Sequence, residues 1–312
     1  PRSAKPLCVG SIPTRASRAE KPWRVMDWPK ITVVTPTFNR IEYLEECIQS
    51  VVGQEYPNLE YIICDGGSTN PGVLRLIEKH GPRLAWWDSR NDRGHAEAVR
   101  RGFDRATGDV LAYLCSDDTY LPGALRAIGE VFAADPKIDV VYGNVYNTDA
   151  AGRIVRETRS VPPSPLGLIT RVNMAQPATF WTRRGYERVG ANFGGANWEY
   201  AVFEPQMDLF LRFARARLPC RNLRRFIATL RQHPGTVSAR HRAEIARVPQ
   251  ECLRREFPFW AHPLRYKLLW AAMRVRQVCW HVRQGELGYL VRRGRLPRIA
   301  ATNPAPDPGI GS

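Results

Sequence analysis

The sequence predicts an α/β protein: an open, mostly parallel, twisted sheet with helices on both faces, extended at its C-terminal side by basic helices. Three observations predict it. Short β-branched apolar runs alternate with stretches of helical periodicity from residue 31 to residue 142. The segments that follow those runs are rich in Asp, Gly and Pro, and an open α/β sheet binds ligands beyond the carboxyl ends of its strands. The charge is lopsided: residues 1–210 hold 25 Lys or Arg and 25 Asp or Glu, whereas residues 211–300 hold 21 and 4.

Taken in order, residues 31–35 (ITVVT) form a buried strand. Residues 41–53 place Ile41, Leu44, Ile48 and Val51 on one helical face, with Gly53 as a stop. Residues 59–64 (LEYIIC) are a second strand, followed by a helix near 71–79. Residues 84–87 (LAWW) are a third strand and 94–106 a third helix. Residues 110–114 (VLAYL) are a fourth strand, 121–134 a helix, and 139–142 (DVVY) a fifth strand. Beyond residue 150 the alternation loosens. A Pro-rich loop covers 161–165, a strand enters a loop at 176–181, a helix covers 206–217 and a last strand 226–230. Residues 1–29 have no period and are expected to be a flexible leader. Residues 30–235 form the sheet domain, 236–300 a basic amphipathic extension, and 301–312 a disordered tail.

Composition narrows the class. Of the 312 residues, 44% are hydrophobic and 24% charged, which excludes a disordered chain, a collagen and a small disulfide scaffold. The seven cysteines are odd in number and include no Cys-x-x-Cys, so neither a zinc site nor a disulfide framework is read, and a reducing cytoplasm is expected. Residues 1–20 contain no apolar block of the secretory kind, and no run of 18 apolar residues occurs.

The strand ends carry the candidate chemistry. Strand 4 ends in Ser116-Asp117-Asp118. Adjacent carboxylates repel, and a hard dication such as Mg²⁺ or Mn²⁺ would relieve that cost; the alternative is a helix cap at Asp118 beside a solvated Asp117. Strand 2 ends in Asp65-Gly66-Gly67-Ser68, where the glycines allow close approach of a ligand and Asp65 either meets a nucleobase N–H or closes an Asx turn. Strand 1 ends in Thr35-Pro36-Thr37-Phe38-Asn39-Arg40. No Gly-x-Gly-x-x-Gly and no P-loop follows it, so metal and basic side chains must hold any phosphates.

These stretches together resemble one family. ITVVTPTFNRIEYLEECIQSVVGQEYPNLEYIICDGGSTN, NDRGHAEAVRRGF, ATGDVLAYLCSDDTYLPGAL, VVYGN and QPATFW are similar, in order, to glycosyltransferase family 2 over roughly residues 30–235. The resemblance implies a GT-A fold, a nucleoside-diphosphate-sugar donor (typically UDP-linked), a divalent metal (Mn²⁺ or Mg²⁺) and inversion at the anomeric carbon. By the same resemblance Thr35, Pro36 and Arg40 would border the nucleoside and Asp65 would meet the base. Asp117 would lie near the ribose, Asp118 would hold the metal, and Arg93 would lie near the donor phosphates or sugar. Gln176 and Thr179 would line the acceptor side, and His233 would join the metal and diphosphate. Two departures stand out. The expected acceptor base falls on Gln206, which cannot take a proton, so Glu204 or Asp208 is left for that role. Glu97 and Arg100 replace the Asp and Asn of many relatives.

Residues 264–284 carry Leu264, Leu268, Ala271, Ala272, Val275, Val278, Cys279 and Val282 on one helical face, edged by Arg265, Arg276 and Arg283 on one side and Lys267 and Arg274 on the other. Such a stripe suits an anionic membrane surface, and equally a helix packed on the sheet domain. The expected partners are therefore the donor, a saccharide or lipid-linked acceptor and an anionic membrane at its inner face. The other reading is an inactive binding protein of the same fold, or a membrane or nucleic-acid adaptor. No RNP or helix-turn-helix pattern supports nucleic acid.

Overall fold

The computed structural model describes residues 27–171, 174–194 and 205–293. Most of the expected leader, the tail at 301–312 and Glu204 lie outside the described residues. Nine strands form one sheet, in the order β3-β2-β1-β4-β8-β6-β9-β5 with β7 on β6. The first half is the parallel sheet expected from the alternation: β1 (Ile31–Thr37) lies between β2 (Leu59–Asp65) and β4 (Val110–Tyr113), and β3 (Trp86–Ser89) flanks β2. The second half is mixed. β8 (Thr179–Thr182) runs antiparallel between β4 and β6 (Val140–Thr148), and β9 (Cys220–Arg231) runs parallel to β6. The two-residue β5 (Thr119–Tyr120) is antiparallel to β9, and β7 (Ile154–Thr158) to β6.

Strand periodicity sorts side chains to two cores. Ile31, Val33, Tyr61, Ile63, Val110 and Ala112 face one side, and Val34, Ile62, Cys64, Leu111 and Tyr113 the other. The first side is covered by α1 (Leu44–Val52), α2 (Pro71–His80) and α4 (Ala124–Ala134). The second is covered by α3 (His95–Arg105) and a later helix at Pro205–Arg215. Helix α1 buries Leu44, Cys47, Ile48, Val51 and Val52, as its spacing requires. Asn70 caps α2 by accepting from the Gly72 N–H at 2.8 Å, with Pro71 in the first turn.

Several boundaries moved for identifiable reasons. Residues 81–83 close a 3₁₀ turn, so β3 begins two residues later than expected and Asp88 pairs within the sheet, opposite Cys64. Strand β6 runs on through Asn144 and Asn147 because their amides are satisfied: Asn144 accepts from the Ser160 N–H at 3.0 Å and Asn147 donates to Thr158 at 2.7 Å. Residues 119–120, left between the fourth strand and the helix expected at 121–134, bond to β9 and carry the preceding aspartates up to Arg231.

Between the later strands come α5 (Pro165–Ile169), α6 (Arg183–Arg188) and α7 (Pro205–Arg215), and after β9 come α8 (Val237–Arg240), α9 (Arg242–Glu256), α10 (Pro263–Arg283) and α11 (Leu287–Arg293). Ile169, Met207, Val248, Cys252, Leu253 and Leu269 form a third, smaller core that fastens α9 and α10 to the sheet domain.

Candidate active site

Because β3, β2, β1 and β4 are parallel, their carboxyl ends share one edge, and the expected motifs meet there. The loops after β1 and β2, expected to border a nucleoside, are laced together. Asn39, in the left-handed region at φ 50°, accepts from the Thr69 N–H at 2.9 Å and the Asn70 N–H at 3.1 Å, while its own N–H donates to Ser68. Asp65 is fully buried. It accepts from the Gly67 and Ser68 N–H groups, from the Ser68 hydroxyl and from the Ser89 hydroxyl at 2.6 Å. Its carboxylate therefore builds the loop, and the Asx-turn alternative describes its side chain.

Beneath that loop lies Arg101, which the sequence analysis missed. Its buried guanidinium donates to the Asp65 carbonyl at 2.7 Å and pairs with Asp88 at 3.2 Å and Asp92 at 3.3 Å. Burial raises the Asp92 carboxyl, the Gly94 N–H and Arg101 pull it down, and Glu97 and Asp65 push it up further. An arginine on a helix reads as a solvated charge; the packing of α3 on β1 and β2 buries this one.

The remaining strand-1 candidates sit differently from expectation. Thr35 is buried and accepts from the Tyr61 hydroxyl at 3.0 Å, so its side chain faces the core, and Pro36 is buried in the strand. The residues at the rim are Thr37, whose buried hydroxyl has no hydrogen-bond partner among the described residues, and Phe38, which is 55% exposed. Arg40 donates to the Gly235 carbonyl and so ties loop 1 to the segment after β9. Arg93 is exposed and pairs with Glu97 at 2.8 Å.

The acidic pair lies at the end of β4. Asp118 is buried, and its Oδ1 accepts from the backbone N–H of Arg231 at 2.9 Å. The Arg231 guanidinium is engaged elsewhere: with Glu46, with the Asp117 carbonyl at 3.1 Å, with the Ala150 carbonyl at 3.2 Å, and over the ring of Tyr43. Among the described residues no basic side chain ion-pairs with Asp118. His233 Nε2 lies 3.1 Å from Asp117 Oδ2, and its ring packs on Tyr43. Burial and the Asp117 charge push the Asp118 carboxyl well up, against the pull of the Arg231 N–H and guanidinium.

Donor atoms of Cys115, Asp117 and Asp118 all lie within 4.8 Å of one another. Two carboxylates whose repulsion is unrelieved, with an imidazole beside them, suit a hard dication. The Cys115 thiol, pushed well up by burial and by both aspartates, suits it poorly.

Of the residues expected on the acceptor side, Gln176 donates to the Tyr113 carbonyl at 2.8 Å, and the Cys115 thiol approaches its amide oxygen at 3.9 Å. Thr179 is buried and donates to the Ala175 carbonyl at 2.7 Å, so its hydroxyl serves the backbone. Gln206 lies 3.4 Å from the Tyr113 hydroxyl, and the ring of His95 packs on the same tyrosine. Burial lowers His95 to about 4, partly opposed by Asp117, so this imidazole is neutral at pH 7. Asp208 pairs with Arg212 at 2.9 Å, and that arginine also holds the Val189 and Asn192 carbonyls. Asp208 thus pairs with the arginine that holds the turn after α6, and this ion pair stands beside its expected role as a base.

Comparison with solved structures identifies the fold as GT-A. A mannosyltransferase, PcManGT from Pyrobaculum calidifontis in complex with GDP-Man and Mn²⁺, matches with a TM-score of 0.54 at 17% identity over 88% of this chain and 77% of that one. S. aureus TarS 1–349 in complex with UDP-GlcNAc matches with a TM-score of 0.52 at 18% identity over 73% of this chain and 68% of that one. Residues 32–195, more than half of the chain, match Glycosyl transferase family 2, and the chain belongs to that family. It is similar to GalNAc(5)-diNAcBac-PP-undecaprenol beta-1,3-glucosyltransferase of Campylobacter jejuni, 33% identical over 103 residues, 32% of this chain and 33% of that protein. It is also similar to O-antigen biosynthesis protein RfbC of Myxococcus xanthus, 29% identical over 150 residues, 46% of this chain and 12% of that protein. The matched stretches thus span a third or less of these two relatives' own lengths.

Proposed function

We propose that this protein is a metal-dependent, inverting glycosyltransferase that moves a sugar from a nucleoside-diphosphate donor of the UDP class to a hydroxyl of a saccharide or lipid-linked acceptor, in the building of cell-surface polysaccharide or glycolipid. The observation that carries the reading is the meeting of Asp117, Asp118 and His233 where β4 and β9 end, beside the laced loops of β1 and β2. The complexes with UDP-GlcNAc and with GDP-Man and Mn²⁺ named above support the donor class and the metal.

In this reading Asp118 and Asp117 would hold Mn²⁺ or Mg²⁺, with His233 beside them. A dication there offsets the negative charge that develops on the departing diphosphate. Thr37 and Phe38 border the nucleoside, while Asp65 and Arg101 keep the Gly66–Gly67 backbone close enough to touch it. The acceptor hydroxyl must give up a proton as it attacks from the opposite face of the sugar. Gln206 and Tyr113 orient that hydroxyl, and Glu204 is the acid left to take the proton.

Calorimetry with UDP-GlcNAc, UDP-Glc and GDP-Man, with and without Mn²⁺, tests the reading on the native protein and on Asp118→Asn. One donor should bind only with metal, and the variant should lose the metal dependence. Binding indifferent to both metal and substitution sinks the proposal. A second reading, a donor-binding protein without turnover, is favoured by Gln206 at the position of the base. It predicts metal-dependent binding with no donor hydrolysis, and hydrolysis that Glu204→Gln abolishes excludes it.

A further inference from the structure

Helix α10 is attached to the protein by the side opposite its apolar stripe. Its buried residues are Leu269, Gln277 and His281, with Tyr266 and Met273 packed against the third core. Arg274 and Arg276 tie it down further by donating to the Thr170 and Pro162 carbonyls, both at 3.2 Å. The stripe itself faces solvent along the helix: Leu264 is 65% exposed, Leu268 68% and Val275 62%, and Val278 and Val282 continue it. After the turn at Gly285, Leu287 and Val291 are exposed as well. Large apolar side chains aligned from Leu264 to Val282, about 28 Å of helix, exceed the scattered apolar exposure ordinary on a surface.

The charge around the stripe selects its occupant. Helix α10 contains no acidic residue, and Arg265, Lys267 and Arg283 are exposed along its two edges. A second copy of this chain would bring like-charged edges together, and an acidic, hydrated protein surface would leave the leucines and valines in water. An anionic bilayer meets both demands: acyl chains for the stripe and headgroup phosphates for the cations. We propose that the protein docks on an anionic phospholipid surface through the Leu264–Leu268–Val275–Val282 face of α10, held in the interfacial plane. No helix among the described residues is long and apolar enough to cross a membrane, so the contact is peripheral. The proposal is independent of the sugar-transfer reading, because none of these side chains reaches the strand-end site.

The test is flotation of the full chain with vesicles of 3:1 phosphatidylethanolamine and phosphatidylglycerol, against pure phosphatidylcholine, in low salt and in high salt. The protein should float with the anionic vesicles only, and less in high salt. Leu268→Glu/Val275→Glu and Lys267→Glu/Arg283→Glu should each lower partitioning at least about ten-fold. All four positions are exposed, so circular dichroism, melting temperature and metal-dependent donor binding should stay as in the native protein. Equal flotation with phosphatidylcholine, no flotation with either, or native-like flotation of both variants overturns the proposal. So does a vesicle-free dimer that Leu268→Glu/Val275→Glu dissociates, since that places a second copy on the face.

Discussion

Asp118 is a buried carboxylate whose charge weighs against the fold. Burial and the charge of Asp117 raise its carboxyl. An acid whose pKa rises on folding weighs against the native state once it is ionised at neutral pH. Asp118→Asn keeps an oxygen for the Arg231 N–H and removes the charge. In chelator at pH 7 the variant should melt at or above the native temperature, while Mn²⁺ should raise only the native protein's; differential scanning fluorimetry with and without metal reads both. Turnover should fall about 10²-fold or more, the scale of losing a charge-stabilising group. His233→Ala should weaken Mn²⁺ binding about ten-fold, followed by titration calorimetry, since an imidazole beside a ligating carboxylate tunes the metal even where it does not coordinate. The acidic pair and the late histidine were legible as residues. Thr35 and Thr179 misled because a threonine at a strand end does not declare which side its hydroxyl faces, and here both turn to protein partners.

Among the elements, β2 is fixed at both ends by a carboxylate. At its start, Glu60 accepts from the Thr32 hydroxyl at 2.5 Å, from the Thr107 N–H and hydroxyl at 2.7 and 2.6 Å, and pairs with Lys30 at 3.0 Å. Burial pushes this carboxyl up, but the hydrogen bonds from Thr107 and Thr32 and the contact with Lys30 outweigh it and bring it to about 2. A lowered carboxylate pKa contributes stability that is present above the unfolded value near 4.5 and is lost as the pH falls toward 2. That contribution is about 2–3 kcal/mol. Urea unfolding at pH 6, 4 and 2.5 should show it shrinking in the native protein and largely missing from Glu60→Gln. At the other end of β2, Gly67 has φ +83°, and a Cβ there would meet Asn91 Oδ1 at 2.2 Å. Gly67→Ala should cost about 1–3 kcal/mol and displace the loop that Asp65 organises, seen as weaker donor binding. The element pattern was legible wherever apolar period and turn residues agreed, as in β1, α1 and β2. It failed for β7 and the early part of β9, where Arg221, Arg224 and Arg225 interrupt the apolar run on a partly exposed strand.

For the whole molecule, Arg231 joins parts of the chain that the sequence keeps far apart. Its guanidinium meets Glu46 of α1, the Asp117 carbonyl and the Ala150 carbonyl, and its backbone supports Asp118. Arg231→Met should lower stability by about 1–2 kcal/mol, because the half-buried Asp117 carbonyl loses its donor while the exposed Ala150 and Glu46 regain water. It should also loosen metal binding, although the substituted side chain touches neither candidate carboxylate. The basic C-terminal third was legible as a charge imbalance and an amphipathic helix. Which side of that helix meets the protein was not, because the mixed Tyr266–Met273–Gln277–His281 side has no pattern that announces burial.

By itself the sequence determined the strand-and-helix alternation, the parallel half-sheet, the family and the acidic pair, since each is written in local period or in neighbouring residues. Tertiary structure alone decided that Arg101 lies buried under the loops, that His233 reaches Asp117, and that the stripe of α10 faces outward. Those outcomes depend on contacts between segments from 36 to more than 100 residues apart, whose energies arise from burial and charge pairing across the fold and leave no trace in any one stretch of chain.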